Sequence, residues 1–388
     1  MIKHIFKLIW NNRRNNVLIL LEIFLAFLVL FAVLSYVTYN VRMFTEPMGF
    51  NTEDKWIINL ESQRQKDSVD IVNLKRSLRT ELLAMDNIKN VSFASSAYPF
   101  SGNTSTTSGD QMGFSISSLI VRADNDFDDA FDLNVVQGRW FEDQDFSASY
   151  TPMVVNQAFI DEYFDGRNMI DSIITHSGEH KLVGVIEAYR YKGEFSENEP
   201  TAFFQVTNHN NYASNLILDL VDGTPTAYEE DVNKVVRSIT KADNFIINNL
   251  EKERKRNSSD TWIPMIVLLS ICGFLCINVA LGLFGVLWYN INKRRGEIGL
   301  RMAIGAHSSD IKKQFVLEII ILALIGIGLG VFFAIQVPLL KIGPLEPVNM
   351  YWAILFAATI ILILVILCAL QPSWQASKLH PAIALHEE

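Results

Sequence analysis

The chain has 388 residues, of which 49% are hydrophobic and 19% are charged. A disordered chain combines low hydrophobicity with high net charge, so this composition excludes a disordered protein. Twenty glycines and three cysteines also exclude a collagen-like or disulfide-rich scaffold. The apolar residues are concentrated in long runs, which is typical of a membrane protein.

Four runs are long enough to cross a bilayer, which takes about 20 predominantly apolar residues. They cover 17–37, 263–289, 316–337 and 351–370, and they contain only two charged residues, Glu22 and Glu318. The first run exceeds the roughly 7–15 apolar residues of a signal peptide and has no small-x-small cleavage site after it. We therefore predict four transmembrane helices, the first being an uncleaved anchor.

The basic residues predict the orientation of these helices. Residues 1–16 carry four Lys and Arg, the loop 290–314 carries six, and the short loop 338–350 carries one. Because basic loops stay in the cytoplasm, both termini and the loop 290–314 are predicted to be cytoplasmic. The segment between the first two helices is then extracytoplasmic. Its residues 42–260 hold 21 Lys and Arg against 35 Asp and Glu, which argues against nucleic acid as a partner.

The extracytoplasmic segment has a mixed pattern of helices and strands. Helical spacing of apolar residues predicts helices at 68–85, at 156–164 before Gly166, and at 228–250, the last leading into the second span as a rigid stalk. Runs rich in β-branched and aromatic residues predict strands, and a Gly/Ser/Thr-rich run predicts a loop at 101–113. The strands are expected at 90–95, 116–123, 151–156, 180–189 and 201–206.

These patterns predict a membrane α-helical protein with four transmembrane helices and a large mixed α+β extracytoplasmic domain between helices 1 and 2. Three regions are expected. Residues 1–40 form the cytoplasmic N-terminus and first helix, 41–261 the extracytoplasmic domain with its stalk, and 262–388 the remaining helices with the cytoplasmic loop and tail.

The sequence shows no catalytic pattern. No Gly is followed by Lys, so the phosphate-binding motif G-x-x-x-x-G-K-[ST] is absent, as are G-x-S-x-G and H-E-x-x-H. His176 and His180 could cap one metal ion, but no third His or Cys is near, and Gly178 favours a polar turn between two strands. We predict no enzymatic activity, no metal and no cofactor in this chain.

Charged and small residues inside the spans have two interpretations each. Glu22 and Glu318 are predicted to lie one turn inside the cytoplasmic boundary, where they can snorkel or pair with Arg13, Arg14 or Lys312, and proton coupling is the alternative. Gly326, Gly328 and Gly330 superficially resemble a dinucleotide loop, but no strand precedes them. Gly326 and Gly330 therefore predict close helix packing.

The cytoplasmic stretch 293–315 predicts an amphipathic docking element. Ile298, Met302 and Ile304 are expected to face an apolar groove, with charged residues on the outside and Gly305 ending the helix. A solvated basic loop is the alternative. The charged positions are Arg295, Glu297 and Arg301.

These residues also carry a family resemblance. RRGEIGLRMAIGA strongly resembles the R-x-x-E-I-G-x-R-x-A-x-G-A motif of the MacB/FtsX-type (type VII, mechanotransmission) ABC transporter permeases. VVQGRWFEDQD and KLVGVIEAY are similar to the G-R-x-F and V-G-V patterns of that family's extracytoplasmic domain, and QPSWQASKLHPAIALHEE is similar to its C-terminal ending.

The resemblance implies a permease subunit that transmits motion from a cytosolic ATPase to its extracytoplasmic domain, for efflux or lipoprotein release. It implies a second permease copy, an ATPase subunit that binds ATP and Mg²⁺, and, for efflux relatives, a periplasmic adaptor and an outer-membrane channel. Location in a bacterial inner membrane follows. The residues expected to couple to the ATPase are Arg295, Glu297, Ile298, Arg301, Met302 and Gly305.

Two other classes of protein remain open. One is a membrane receptor whose extracytoplasmic domain binds a ligand and signals through the cytoplasmic loop, although the short C-terminal tail holds no output region. The other is a secondary transporter, which four spans could form only as an oligomer and for which no broken-helix pair is present.

Overall fold

The computed structural model describes residues 13–60, 68–95, 97–101, 106–111, 114–176, 178–206, 214–241, 245–305, 307–342 and 346–376. The chain divides into two compact units. One, here called the helical unit, consists of Met1–Arg42 and Trp262–Glu388. The other, here called the sheet unit, consists of Met43–Thr261.

The described residues contain ten α-helices and two short 3-10 helices, at Asp143–Ser147 and Thr226–Tyr228. The α-helices are α1 Arg13–Thr45, α2 Ser68–Leu83, α3 Phe127–Phe131, α4 Gln157–Phe164, α5 Glu229–Thr240, α6 Leu250–Lys293, α7 Arg295–Ala303, α8 Ser308–Ala334, α9 Gln336–Leu339 and α10 Pro347–Ala376.

Four helices have the length and composition to cross a membrane. They lie at Asn16–Thr45, Leu250–Lys293, Ser309–Leu339 and Pro347–Pro372, which confirms the four predicted spans. The second of them is one continuous helix of 44 residues.

The helix α10 contributes small and branched side chains to the core of the helical unit. On α10 every fourth residue is buried, namely Ala353, Ala357, Ile361, Val365 and Ala369. They share a cluster with buried residues of α1, α6 and α8. A spacing of four residues keeps these side chains on one helix face, and small residues let neighbouring helices approach closely.

The sheet unit is organised around one sheet with eleven strands in the described residues, in the order β11-β1-β10-β2-β4-β9-β6-β8-β5, with β3 beside β4 and β7 beside β8. The strands are β1 Lys55–Asn59, β2 Ile88–Ala94, β3 Thr106–Gln111, β4 Phe114–Ala123, β5 Val135–Gly138, β6 Thr151–Asn156, β7 Ile173–Thr175, β8 Glu179–Ile186, β9 Thr201–Gln205, β10 Asn215–Leu220 and β11 Ile247–Asn249.

The sheet is mixed, and its strand β6 is buried on both faces. The pairs β4–β9 and β6–β8 are parallel, whereas the other strand pairs of the described residues, such as β1–β10, are antiparallel. Along β6, Met153 and Val155 pack in one apolar cluster and Val154 packs in another. Because successive side chains of a strand point to opposite faces, both faces of β6 are covered. Burial on both faces explains why this strand reads as a continuous apolar run.

Most predicted elements of the sheet unit are confirmed. The helix predicted at 68–85 is α2, and the short helix predicted at 156–164 is α4. The side chain of Asn156 caps α4 by accepting a hydrogen bond from the Phe159 backbone N–H at 3.1 Å. Asp165 and Gly166 then leave the helix with positive φ. All five predicted strands overlap observed ones, namely β2, β4, β6, β8 and β9.

Two predictions in the sheet unit are wrong. The single helix expected over 228–250 ends at Thr240, where Lys241 turns into the left-handed conformation, and β11 intervenes before α6 begins at Leu250. The stalk is therefore the first part of α6 alone. The loop expected over 101–113 contains β3, which pairs with β4 from Thr106 to Gln111, while 102–105 and 112–113 lie outside the described residues.

Candidate functional site

The predicted docking stretch forms a short helix, α7, between α6 and α8. Ile298 is 4% exposed and packs against Ile291, Ile311 and Phe315, with Met302 at the edge of this cluster. These partners belong to α6 and α8 of the same chain. One side of α7 is therefore fixed to the helices on either side of it.

The other side of α7 is apolar and exposed. Leu300 is 52% exposed and Ile304, directly after the last residue of α7, is 78% exposed. The prediction that Ile304 shares a face with Ile298 is wrong, because a separation of six residues at 3.6 residues per turn places the two on different sides of a helix. Leu300 and Ile304, four residues apart, share one side instead.

The charged positions of the motif are only partly described. Arg295 is exposed, while the side chains of Glu297 and Arg301 lie outside what the structure describes. Gly305 has a φ of +100°, a conformation that L side chains rarely adopt, and it follows the end of α7 as predicted.

The carboxylate of Glu318 is bound by an arginine that the sequence analysis did not select. Nη1 of Arg294 lies 3.2 Å from Oε2 of Glu318, and both side chains are at most 15% exposed. Glu318 is therefore paired with a basic residue, as expected, but that residue is Arg294, which is not one of the three named in the sequence analysis. The motif R-x-x-E could have identified Arg294 from the sequence. Arg294 stands three residues before Glu297 and therefore occupies the first arginine position of the motif.

Glu22, the other carboxylate in a span, lies against α6. A Cβ built on Gly282 would clash with Oε1 of Glu22, so the glycine makes room for the carboxylate. The side chains of Arg13 and Arg14, its predicted partners, lie outside the described residues.

Gly326 and Gly330 lie on the side of α8 that faces α1. A Cβ on Gly326 would come within 2.9 Å of Cγ2 of Ile23, and one on Gly330 would clash with the ring of Phe27. Gly328, between them, would meet no atom within 4 Å. The two outer glycines thus allow close packing of helices within one chain.

The G-R-x-F and V-G-V patterns meet in the sheet unit. Gly138 of β5 is the cross-strand partner of Gly184 of β8, and a Cβ on either would clash with backbone carbonyls. Next to Gly138, the guanidinium of Arg139 binds both carboxylate oxygens of Asp145. Trp140 follows and is buried. The glycines of the two patterns therefore allow β5 and β8 to pair closely. The arginine of the first pattern forms an ion pair with Asp145 in the turn that follows β5.

His176 and His180 flank the turn between β7 and β8, as predicted. Nε2 of His176 lies 2.7 Å from the hydroxyl of Ser118, and the histidine is fully buried. Burial, and after it the nearby His180, lowers the pKa of His176 to about 4. Among the described residues no group of three or more His, Cys, Asp or Glu is placed to hold a metal ion.

Two family descriptions match the chain. Residues 17–235 match the MacB-like periplasmic core domain, and residues 267–381 match the FtsX-like permease C-terminal region. The first match alone covers more than half of the 388 residues. The chain belongs to the MacB/FtsX-type family of ABC transporter permeases. With four membrane-spanning helices, it is an inner-membrane protein.

The individual relatives are distant. Two proteins named "Macrolide export ATP-binding/permease protein MacB", from Bartonella quintana and Bartonella henselae, are 24% and 27% identical over 70% and 66% of this chain. The permease spans less than half of their length, 43% and 40%. The crystal structure of the periplasmic region of MacB from Actinobacillus actinomycetemcomitans is 14% identical, with a TM-score of 0.38 over 55% of this chain and 97% of that one.

Proposed function

We propose that this permease transmits ATP-driven motion from a cytosolic ABC ATPase to the sheet unit, which moves or extracts a substrate on the far side of the membrane. Both termini and α7 are cytoplasmic in this proposal, since the basic residues cluster there. Two copies of the permease act with the ATPase, which binds ATP and Mg²⁺. The substrate belongs to an efflux or lipoprotein-release system, and an efflux system adds a periplasmic adaptor and an outer-membrane channel.

The arrangement of α7 carries this proposal. Ile298 anchors the helix between α6 and α8, while Leu300 and Ile304 present apolar surface to the outside. A force applied to that surface acts through a buried cluster on two membrane-spanning helices. One of these, α6, continues without a break from Leu250 to Lys293, which suits a lever.

Copurification tests the docking surface. The tagged chain is purified from its native membrane in mild detergent, and bound proteins are identified by mass spectrometry. We expect a P-loop ATPase in stoichiometric amount, and we expect its loss in the Leu300→Glu and Ile304→Glu variants. Arg301→Glu, which reverses a motif charge, is expected to weaken the same complex.

The matched control is Ile246→Glu in the sheet unit. Ile246 is 74% exposed, so this variant places the same charge on an equally exposed apolar residue far along the chain from α7. It should retain the ATPase. Retention of the ATPase by both α7 variants would exclude this surface, and recovery of the wild-type chain without any ATPase would contradict the proposed function.

A further inference from the structure

Arg190 is an arginine buried in the sheet unit, with an exposed fraction of 1%. Its guanidinium donates hydrogen bonds to the backbone carbonyls of Ser196, Glu46 and Glu194, each at 2.7 Å. Its own backbone N–H donates to the carbonyl of Met48 at 2.9 Å. The segment that begins at Arg190 is therefore fastened to the residues that directly follow α1.

The same segment is fastened to α6 on its other side. The carboxylate of Glu194 accepts hydrogen bonds from Nε of Arg254 at 2.6 Å and from the hydroxyl of Ser258 at 2.9 Å. The side-chain amide of Asn257 donates to the carbonyl of Lys192. Arg254, Asn257 and Ser258 lie on adjacent turns near the start of α6. Hydrogen bonds from these three residues thus join one face of that helix to residues 192–194.

These hydrogen-bond partners stabilise the ionised form of Glu194. Burial by itself raises the pKa of its carboxyl, but hydrogen bonds from Arg254 and Ser258 outweigh burial, and the pKa lies below its ordinary value. The carboxylate is ionised at neutral pH as a result. Its side chain is only 8% exposed, so solvent screens the pair with Arg254 weakly.

We propose that residues 190–196, here called the clasp, pass movement of α6 to the segment that follows α1. This inference rests on the proposed function and names the residues that carry its motion within the sheet unit. Burying a guanidinium and a carboxylate is a costly way to gain stability, but it imposes one geometry on the groups that surround them. A fully hydrogen-bonded link of this kind transmits a displacement because its hydrogen bonds hold the linked groups at fixed distances.

A second contact joins the same two parts of the chain and must be separated from the clasp. The hydroxyl of Thr52 donates to Oε2 of Glu251 at 2.8 Å and accepts from Nη1 of Arg254 at 3.4 Å. Thr52→Val removes both of these direct hydrogen bonds between α6 and Thr52, and it leaves the hydrogen bonds of residues 190–196 in place. If the clasp is the link, this variant should behave as the wild-type chain does.

Hydrogen exchange of the full chain, in detergent and followed by mass spectrometry, tests the link. In Arg254→Glu, which places two carboxylates together, we expect exchange about tenfold faster in peptides covering 190–196 and 43–50 alike. The double variant Glu194→Arg/Arg254→Glu should restore both peptides. Arg256→Glu reverses an exposed charge two residues further along α6 and should change neither.

The same variants are then compared in complex with the ATPase, with and without ATP. The wild-type chain should show an ATP-dependent change of exchange at 43–50. Arg254→Glu should lose this change while it retains ATPase binding and ATP hydrolysis, and the charge-swapped variant should recover it. If the ion pair only stabilised the fold, its loss would not abolish the ATP-dependent change of exchange at 43–50 while ATP hydrolysis continued.

Two results would overturn the inference. One is faster exchange at 190–196 in Arg254→Glu with no effect at 43–50. The other is an ATP-dependent change at 43–50 that survives Arg254→Glu. Failure of the wild-type chain to bind an ATPase would contradict the proposed function instead, and the measurement without nucleotide would still decide whether the clasp links the two segments.

Discussion

Both carboxylate oxygens of Asp145 accept a hydrogen bond from the guanidinium of Arg139, each at 2.7 Å. The carboxylate also accepts from the backbone N–H of Glu142 at 2.9 Å. Its side chain is fully buried, whereas that of Arg139 is 31% exposed. Bidentate pairs with this geometry are the strong ones, so the pair fixes the turn after the G-R-x-F pattern.

Replacing Asp145 by Asn should therefore destabilise the sheet unit by about 2 kcal/mol, the range for a lost hydrogen bond to a charged group. The hydrogen bond from Arg139 lowers the pKa of Asp145 more than burial raises it. The stabilisation is present above the ordinary carboxyl pKa and is lost as the pH falls through the lower folded value.

Urea unfolding of the full chain in detergent, followed by tryptophan fluorescence, measures this loss at neutral pH. Asp165→Asn is the matched control, since Asp165 pairs with Arg167 while its side chain is 85% exposed. That variant should change the free energy of unfolding by less than about 0.5 kcal/mol. Equal effects of the two substitutions would exclude a structural role for the Arg139 pair.

His176 should make the sheet unit sensitive to acid. Its pKa is about 4 in the fold because burial disfavours the charged ring, whereas an unfolded histidine titrates near about 6.5. A group with a lowered pKa contributes stability that is present above the unfolded value and is lost as the pH falls towards the folded one. The loss between pH 7 and pH 4 should reach about 3 kcal/mol.

The difference between the wild-type chain and His176→Gln isolates this contribution, because other titrating groups are common to both. Unfolding in urea is measured at several pH values between 7 and 4. The two curves should converge as the pH falls, whereas curves that stay parallel would show that His176 does not titrate in this range. His307→Gln makes the same substitution at an exposed position of the helical unit and serves as the control.

Gly330→Leu should disrupt the helical unit, and Gly328→Leu should not. A Cβ on Gly330 would clash with the ring of Phe27, whereas a Cβ on Gly328 would meet no atom within 4 Å. Overpacking of a well-packed core costs about 1–3 kcal/mol, and here it separates α8 from α1. The yield of monodisperse protein after heating in detergent compares the two. Equal yields would contradict the packing of Gly330 on Phe27.

Arg294→Gln should destabilise the attachment of α7, because it leaves the carboxylate of Glu318 largely buried without this arginine. Removal of one partner from a buried pair costs about 3 kcal/mol. Faster hydrogen exchange in α7 should report it. Lys293→Gln removes an exposed charge one residue earlier and serves as the control. A similar response in both would exclude a specific role for the Arg294 pair.

The sequence predicted the elements whose cause is local. A bilayer requires long apolar runs, so the four spans could be recognised from length and composition alone. Strand β6 could be recognised because burial on both faces demands consecutive apolar residues from Met153 to Val155. The end of α4 was foreseen from Gly166, which has the positive φ that favours glycine.

The errors have different reasons. Strand β11 has three residues and exists because β1 lies beside it, so the break between α5 and α6 has no strong local signal. The prediction that Ile304 shares a face with Ile298 fails because six residues at 3.6 residues per turn place the two on different sides of a helix. The first motif arginine, Arg294, could have been found by counting, but its partner Glu318 is 24 residues away.

The sequence alone determined that this protein crosses the membrane four times, that it carries a mixed α+β insert after the first span, and that it belongs to its permease family. These properties follow from hydropathy, periodicity and motif spacing, which are read within one segment at a time. Only the tertiary structure decided that Glu194 meets Arg254, that Arg190 holds the residues after α1, and that Leu300 and Ile304 remain exposed. Such contacts join residues far apart in the chain, and they form only when the packing of whole elements brings them together.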